Sequence, residues 1–563
     1  MVSHQFIHNI NDEKSKKTFY PNYFNFYLKY CYCSRPNILW ITVEDISPTL
    51  SFYGDSTSLT PNLDKLASQS LIYKEAFTTV GVCAPSRSSL ITGMYPVSIG
   101  THQMRTGKDV FSWGSRDYSG ISNAIDVNGD SIPLHSVVTP VDVKCFTEYM
   151  RKDGYFCTNN SKTDYQFAAP VTAWDENGNN SHWRNRPIGK PFFSVFNFNT
   201  THESKMWMHR DKPLTVDPES VKLPPYYPDT KIVRQDVARN YSNIEMVDKE
   251  IGKLLFDLES DGLLDNTIIF FFSDHGGPLP RGKREHYVSG LNVPFLVRIP
   301  GLTDYKYVYD PISFVDLAPT VLSLVDIEIP DHFQGKAFLG KKKNNTLREF
   351  IYGSGDRFDE TYDRVRSVIS KDFVYVKNYY KNLPAYKDNL YRKNIDMTNE
   401  MLDMNKNGLL DKNQSYWYRQ KKTKEEFYVR DNDPHSLNNL INDKKYKDQI
   451  IKHRKALKDW QKEINDIGGM PEKSLFYKMW PNGIQPKANS PTINGSDKLN
   501  IIISSDTEGA SIAYIISKKD FQPGLDDGWL VYSKPLTLLP GENLYAMTTR
   551  IGYEDSEVIK YEN

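Results

Sequence analysis

Two acidic groups each close an apolar run. Glu44 and Asp45 end "PNILWITVEDISP" (36–48), and Asp274 and His275 end "NTIIFFFSDHGG" (266–277). Oxygen donors at adjacent strand ends suit a hard divalent cation such as Ca²⁺, with Mg²⁺ second. Either pair alone serves equally well as a turn or a helix cap; the repeated context is what points to metal. A third stretch, "GVCAPSRSSLITG" (81–93), places Cys83 before Ala-Pro and then Arg87, ahead of an apolar run. Such a cysteine reads first as a buried structural thiol. A helix start together with Arg87 favours an anion, however, so Cys83 and Arg87 also read as an anion-facing nucleophile position. Lys283 in "PRGKREHY" and His202 in "NTTHES" read, on their own, as a solvated loop charge and a turn residue.

The elements that must position these residues follow from patterning. The runs at 36–48 and 266–277, with "KPFFSVFNFNTTHES" (190–204), are near-continuous apolar strands that suit burial on both faces of a parallel sheet. "TPNLDKLASQSLIYKEAFT" (60–78) has apolar residues at helical spacing behind a Thr-Pro start. Alternating strands and helices predict an α/β sheet, and ligands of such sheets bind beyond the carboxyl ends of the strands. The texture changes near residue 345. A short strand pair is expected around 365–379 and a helix around 445–466. After a Pro/Ser/Asn/Gly linker from 485, short strands separated by turns predict a small β-sandwich. The expected organisation is a catalytic domain over 36–345, a smaller α+β subdomain over 346–484 and a β-sandwich accessory module over 485–563. Residues 1–35 read as a disordered or degraded export segment.

Composition narrows the function. In 563 residues, 70 Lys+Arg balance 70 Asp+Glu, which argues against a nucleic-acid binder. No apolar run reaches the length of about 18 residues that a membrane span needs. Five cysteines are too few for a disulfide scaffold, and Cys31 and Cys33 have no second pair to complete a zinc site. Aromatics at 13% fit either aromatic cores or sugar-binding surfaces. "DMNKNGLLDKNQ" (403–414) has the spacing of a calcium loop but no Glu at its twelfth position, and reads as structural.

"CAPSR" followed by "SSLITG" resembles the Cys-x-Pro-Ser-Arg signature of formylglycine-dependent sulfatases, and "PNILWITVEDI", "FFFSDHGG", "SGLNVPFLVRIPG" (289–301) and "EEFYVRDNDPHSLNNL" (425–440) are similar to that family's other segments. The resemblance covers roughly 36–480. It implies an alkaline-phosphatase-like fold with a large, mostly parallel sheet. It also implies that a maturation enzyme (formylglycine-generating or anaerobic) oxidises Cys83 to formylglycine. In the family the hydrate attacks the sulfur of a sulfate ester, and the covalent enzyme–sulfate then expels sulfate. Carried over by position, Glu44, Asp45, Cys83, Asp274 and His275 match the metal ligands, Arg87 the formylglycine-orienting arginine, Lys283 the sulfate-contacting lysine and His202 the histidine near the leaving oxygen. Family members usually have Asp at the position of Glu44 and often Asn at that of His275. In "GYFCTNNSKTDYQF" (154–167), Lys162 keeps the family's lysine while Asp164 stands where histidine is usual. An acid there could protonate a leaving oxygen or bind a substrate hydroxyl; His202 is favoured as the acid. His102 in "GTHQMRTG" is expected to face the pocket.

The function so implied is removal of sulfate from a sulfated polysaccharide or its oligosaccharides, algal (ulvan, carrageenan) or glycosaminoglycan, by a periplasmic or secreted enzyme. The alternatives are a phosphoester or phosphonate hydrolase on the same fold, or a non-catalytic sugar-binding relative.

Overall fold

The computed structural model describes residues 35–495 and 499–562. Apart from Arg35, the expected export segment lies outside them. Eight strands form the central sheet, in the spatial order Lys306–Val308, Ser70–Tyr73, Phe295–Arg298, Thr267–Ser273, Asn37–Val43, Phe192–Phe198, Phe156–Asn160 and Glu176–Asn177. Asn37–Val43 lies at the centre and runs parallel to both neighbours, with Val43 level with Ser273 on one side and Phe198 on the other. Phe156–Asn160 continues the parallel set, while Phe295–Arg298 is antiparallel to both of its neighbours. This is the mixed, mostly parallel α/β sheet that the patterning implied.

All seven residues of Asn37–Val43 and of Thr267–Ser273 are buried, because both sheet faces are covered. Alternation divides them between two cores. Leu39, Ile41, Val43, Ile269 and Phe271 join the core under the 30-residue helix Lys231–Ser260. Ile38, Trp40, Ile268, Phe270 and Phe272 join the core on the opposite face, with residues of Phe146–Lys152 and Leu317–Leu324. Trp40 anchors that second core, with its ring 5.1–6.2 Å from those of Phe146, Phe193, Phe270 and Phe272.

One expected element divides. The helix of 60–78 stops at Ala67, and the rest forms the strands Ser70–Tyr73 and Ala76–Phe77. Pairing of Ser70–Tyr73 with Phe295–Arg298 and Lys306–Val308 overrides the local helical spacing. The 403–414 stretch forms no calcium loop: its first residues belong to the helix Asp396–Lys406, and Asp411 caps a short helix at Lys412–Ser415.

Beyond the central sheet, Ile351–Gly355, Val365–Ile369, Phe373–Asn378 and Glu425–Val429 form an antiparallel sheet packed by Lys447–Glu463. In the last part of the chain, a two-stranded sheet meets a four-stranded one across Ile501, Ile503, Leu544 and Ala546. The other face of the four-stranded sheet packs on Val171. Polar ties reinforce that contact: Arg151 donates to the Trp529 carbonyl at 2.5 Å, the Trp113 indole to Asp526 at 2.5 Å, and Arg116 to Asp555 at 3.0 Å. The segment carrying Trp113 and Arg116 also pairs with the strand end at Lys162, where Ser112 N–H donates to the Ser161 carbonyl and Thr163 N–H to that of Val110.

Trp40→Ala is expected to lower the unfolding free energy by about 3–5 kcal/mol, because four packed rings cannot close on the cavity. Urea unfolding at constant m-value reads this; a loss below about 1 kcal/mol would mean that the core repacks.

Candidate active site

The parallel register carries three strand ends to one edge. Glu44 and Asp45 follow the central strand, Asp274 and His275 follow Thr267–Ser273, and His202 lies just past Phe192–Phe198. Lys162 and Asp164 arrive at the same edge from Phe156–Asn160. Cys83 begins the fully buried helix Cys83–Thr92, whose Ser86 hydroxyl donates to the Asp274 carbonyl at 2.6 Å. Glycines make the close approach possible. A Cβ at Gly81 would lie 2.3 Å from the Glu285 carbonyl oxygen, and one at Gly276 2.3 Å from that of Ser289.

Asp45, Cys83, Asp274 and His275 are all buried, and their donor atoms lie within 4.8 Å of one another. Cys83 Sγ is 3.2 Å from His275 Nε2, which in turn is 3.2 Å from Asp45 Oδ1 and 3.6 Å from Asp274 Oδ1. His275 Nδ1 lies 2.9 Å from the Gly276 carbonyl, to which it donates, so Nε2 faces the cluster. Two carboxylates, an inward imidazole nitrogen and the Cys83 position converge, and that donor chemistry can hold a divalent metal. Burial opposes charge on His275, yet Asp274, Cys83 and Asp45 lift its pKa to about 9.

Cations surround the cluster. Lys283 Nζ donates to both oxygens of Asp45, at 3.0 and 2.8 Å. Burial still raises the Asp45 carboxyl, assisted by Asp274 and Glu44 and opposed by Lys283 and His275. Arg87 reaches Asp274 at 3.1 Å, Glu44 at 3.2 Å and the Asn197 amide oxygen at 2.7 Å. Glu44 also receives Lys162 Nζ at 2.5 Å. Burial would raise the Glu44 pKa, but Lys162 and Arg87 bring it down to about 2. Its second oxygen is 3.7 Å from His202 Nε2. Glu44 is thus brought to the centre but lies outside the four-donor group. Asp164 pairs with Arg105 at 2.7 Å and lies 3.5 Å from Lys162. His202 Nδ1 accepts the Ser204 backbone N–H at 3.2 Å, which leaves Nε2 as the protonated nitrogen of the neutral ring. Burial, with Lys283 and Lys162, pushes its pKa well below the usual histidine value.

His102 does not join this group. It is fully buried, burial holds its pKa below the usual histidine value, and the charges that act on it are those of Asp356, Arg366, Asp466 and Glu472, none of them a member of the cluster. The site also holds residues the sequence reading did not single out. Glu203 N–H donates to Asp45 at 2.6 Å, and its carboxylate takes both bonds of Arg284 at 2.8 Å; Arg284 also reaches Asp359 at 3.0 Å. Glu203 and Arg284 directly follow His202 and Lys283, which was the available signal. Asn197 is a polar residue within an apolar strand.

Comparison with known proteins places this geometry. The Sulfatase family model matches residues 36–123 and 147–327. An ulvan-active sulfatase of Formosa agariphila is 39% identical over 565 residues, covering 93% of this chain and 91% of the relative. The chain belongs to the sulfatase family. It is therefore a sulfuric ester hydrolase by family, and the human N-sulphoglucosamine sulphohydrolase is 27% identical over 77% of this chain and 91% of its own. Among solved structures, a 2-O GAG sulfatase superposes with TM-score 0.54 at 19% identity (77% of this chain, 93% of the other). A phosphonate monoester hydrolase from Silicibacter pomeroyi superposes with TM-score 0.52 at 14% identity (77% and 96%). The sulfatase fold thus also serves phosphonate chemistry, and the family assignment rests on sequence.

Arg284→Met leaves the buried Glu203 carboxylate with only Lys283, 3.9 Å away and already bonded to Asp45, and is expected to cost about 3–5 kcal/mol. The double variant Arg284→Met/Glu203→Met should recover most of that loss. Chemical denaturation of the four proteins in the cycle reads the coupling; no recovery would mean that Arg284 acts mainly through Asp359.

Proposed function

We propose that this sulfatase removes sulfate from ulvan or its oligosaccharides, using a formylglycine made from Cys83 beside a bound Ca²⁺. The observation that carries the reading is the convergence of Cys83, Asp45, Asp274 and His275 within one buried cluster ringed by Arg87, Lys162 and Lys283. The substrate class rests on the Formosa relative, which is named ulvan-active and matches nearly the whole chain. Since a polysaccharide does not cross a membrane, the reading also implies a periplasmic or secreted enzyme. Cys83 is fully buried, so the maturation enzyme acts before the fold closes.

Asp45, Asp274 and His275 would hold the ion, with Glu44 and the modified Cys83 completing its shell. The ion would neutralise sulfate charge and activate the formylglycine hydroxyl. The chain's own residues do the rest. Arg87, fixed by Asp274, Glu44 and Asn197, holds the nucleophile's side of the site in one orientation. Lys162 and Lys283 stand ready for the sulfate oxygens, and their present partners, Glu44 and Asp45, keep them there at little reorganisation cost. His202 is the proton donor in this reading, because its protonated Nε2 faces the centre while Asp164 is engaged by Arg105. Burial first, and then the Lys283 and Lys162 charges, keep the imidazole neutral; bound sulfate would offset those charges and so favour uptake of the proton that the ring passes to the leaving oxygen.

Protein co-produced with a maturation enzyme should release sulfate from ulvan, read by ion chromatography, and Cys83→Ala should release none. Mass spectrometry of the Cys83 peptide confirms the modification. No sulfate release from ulvan, together with phosphate release from phosphoester substrates assayed in parallel, would overturn the reading in favour of phosphoester chemistry.

Chelation should abolish release, and Ca²⁺ should restore it. At a hundredfold excess over its Kd, Ca²⁺ should add about 2.7 kcal/mol of stability. His202→Ala should lose far more turnover than Asp164→Asn; the reverse order would move the acid to Asp164.

A further inference from the structure

Most of the aromatic residues serve the cores, but one pair lies beside the proton donor. We propose that Trp207 and Tyr391 form a stacking wall for the sugar ring on the leaving-group side of His202. This rests on the sulfatase reading above and extends it from the sulfate to the sugar that carries it.

Tyr391 is 40% exposed, and Trp207 is half-buried. The Tyr391 ring centroid lies 6.3 Å from that of His202 and 5.0 Å from that of Trp207, with interplanar angles of 63° and 76°. An edge-to-face pair uses the edge of one ring against the face of the other, so aromatic surface stays open for a third partner. His202 Nε2 lies 3.7 Å from Glu44, and the Tyr391 ring packs against the same imidazole, so an alcohol leaving group that takes its proton from His202 would come within reach of the pair. Burial raises the pKa of the Tyr391 hydroxyl, opposed by the nearby Lys283 charge and Ser204, so the phenol stays protonated. An amphipathic ring of this kind suits a pyranose, whose C–H face packs on it while its hydroxyls take polar contacts.

The segment that carries Tyr391 is held in advance. Asn389 donates to Asp359 at 2.9 Å and accepts the Arg392 backbone N–H at 3.0 Å. The fully buried Arg392 donates to the carbonyl of Lys283 at 2.6 Å and lies 5.0 Å over the Trp417 ring. Tyr391 is therefore fixed to the backbone that carries Lys283, the lysine read here as a sulfate contact. Little ordering cost remains when a sugar docks.

The test measures KM and kcat for ulvan oligosaccharides, together with inhibition by inorganic sulfate, in the full-length matured enzyme. Tyr391→Ala should raise KM about tenfold, while Tyr391→Phe, which keeps the ring, should stay within about twofold. The inhibition constant for sulfate should not move in either, because the wall touches sugar and not sulfate. Trp207→Leu should raise KM in the same direction. An unchanged KM in Tyr391→Ala overturns the wall. So does a sulfate inhibition constant that rises in step with KM, since that marks damage to the anion pocket. Sulfate release by the wild type with no response to Tyr391→Ala defeats only this inference. A matured wild type that releases no sulfate from ulvan or other sulfated glycans defeats the functional reading and the wall with it.

Discussion

Lys283 and Asp45 share two short hydrogen bonds at a buried sheet edge, and much of the architecture serves to make that pair tolerable. An isolated charge there would carry a desolvation cost of several kcal/mol. The solution is alternation: Asp45 has Lys283 and the Glu203 N–H, Glu203 has Arg284, and Arg284 has Asp359. On the other flank Glu44 has Lys162 and Arg87, and Asp164 has Arg105. No member can be removed without leaving its neighbour exposed to the same cost. The arrangement also keeps every charge poised, since groups already desolvated and oriented need not reorganise when an anion arrives.

The parallel sheet makes this alternation geometrically possible. Strands that run the same way deliver their last residues to the same edge, and one continuous apolar run per strand secures burial on both faces. That much was legible: "PNILWITV", "FFSVFNF" and "TIIFFFS" announce central strands, and the acids after them announce where chemistry collects. The failures have physical causes. Residues 60–78 carry helical spacing, but from Ser70 onward the chain is captured by strands more than 220 residues away. His102 follows the signature helix closely in sequence, yet it is fully buried and the charges acting on it come from residues 356 to 472, which no local pattern encodes. Asn197, Glu203, Arg284 and Arg105 gain their meaning from partners 59 to 158 residues distant, and no local pattern encodes such pairings.

On the proposed reading, the two halves of the substrate site differ in kind. On the sulfate side, selection is by charge and by hydrogen bonds fixed deep in the fold. Beside His202 the chain offers two aromatic side chains: Trp207 on the short helix Lys205–Met208, and the partly exposed Tyr391, whose neighbour Arg392 ties its segment back to Lys283. Charge can distinguish a sulfate from a neutral group but says little about which sugar bears it. The second half is where relatives with one fold and one sulfate pocket can diverge.

Ribosomal synthesis makes Arg116 long before Asp555, its partner 439 residues later. At about 5–20 residues per second that interval is roughly 20–90 s. Until it ends, the segment that braces Lys162 lacks its outer hold, and Trp113 likewise waits for Asp526. The outermost ties on the wall that carries Lys162 are thus among the last that translation can supply, although the Cys83 helix is among the first elements made. The neighbours that close over Cys83 itself, His275 and Phe358 among them, are made well before Asp526 and Asp555, so the nucleophile position can be buried while the wall beside Lys162 still lacks its outer ties.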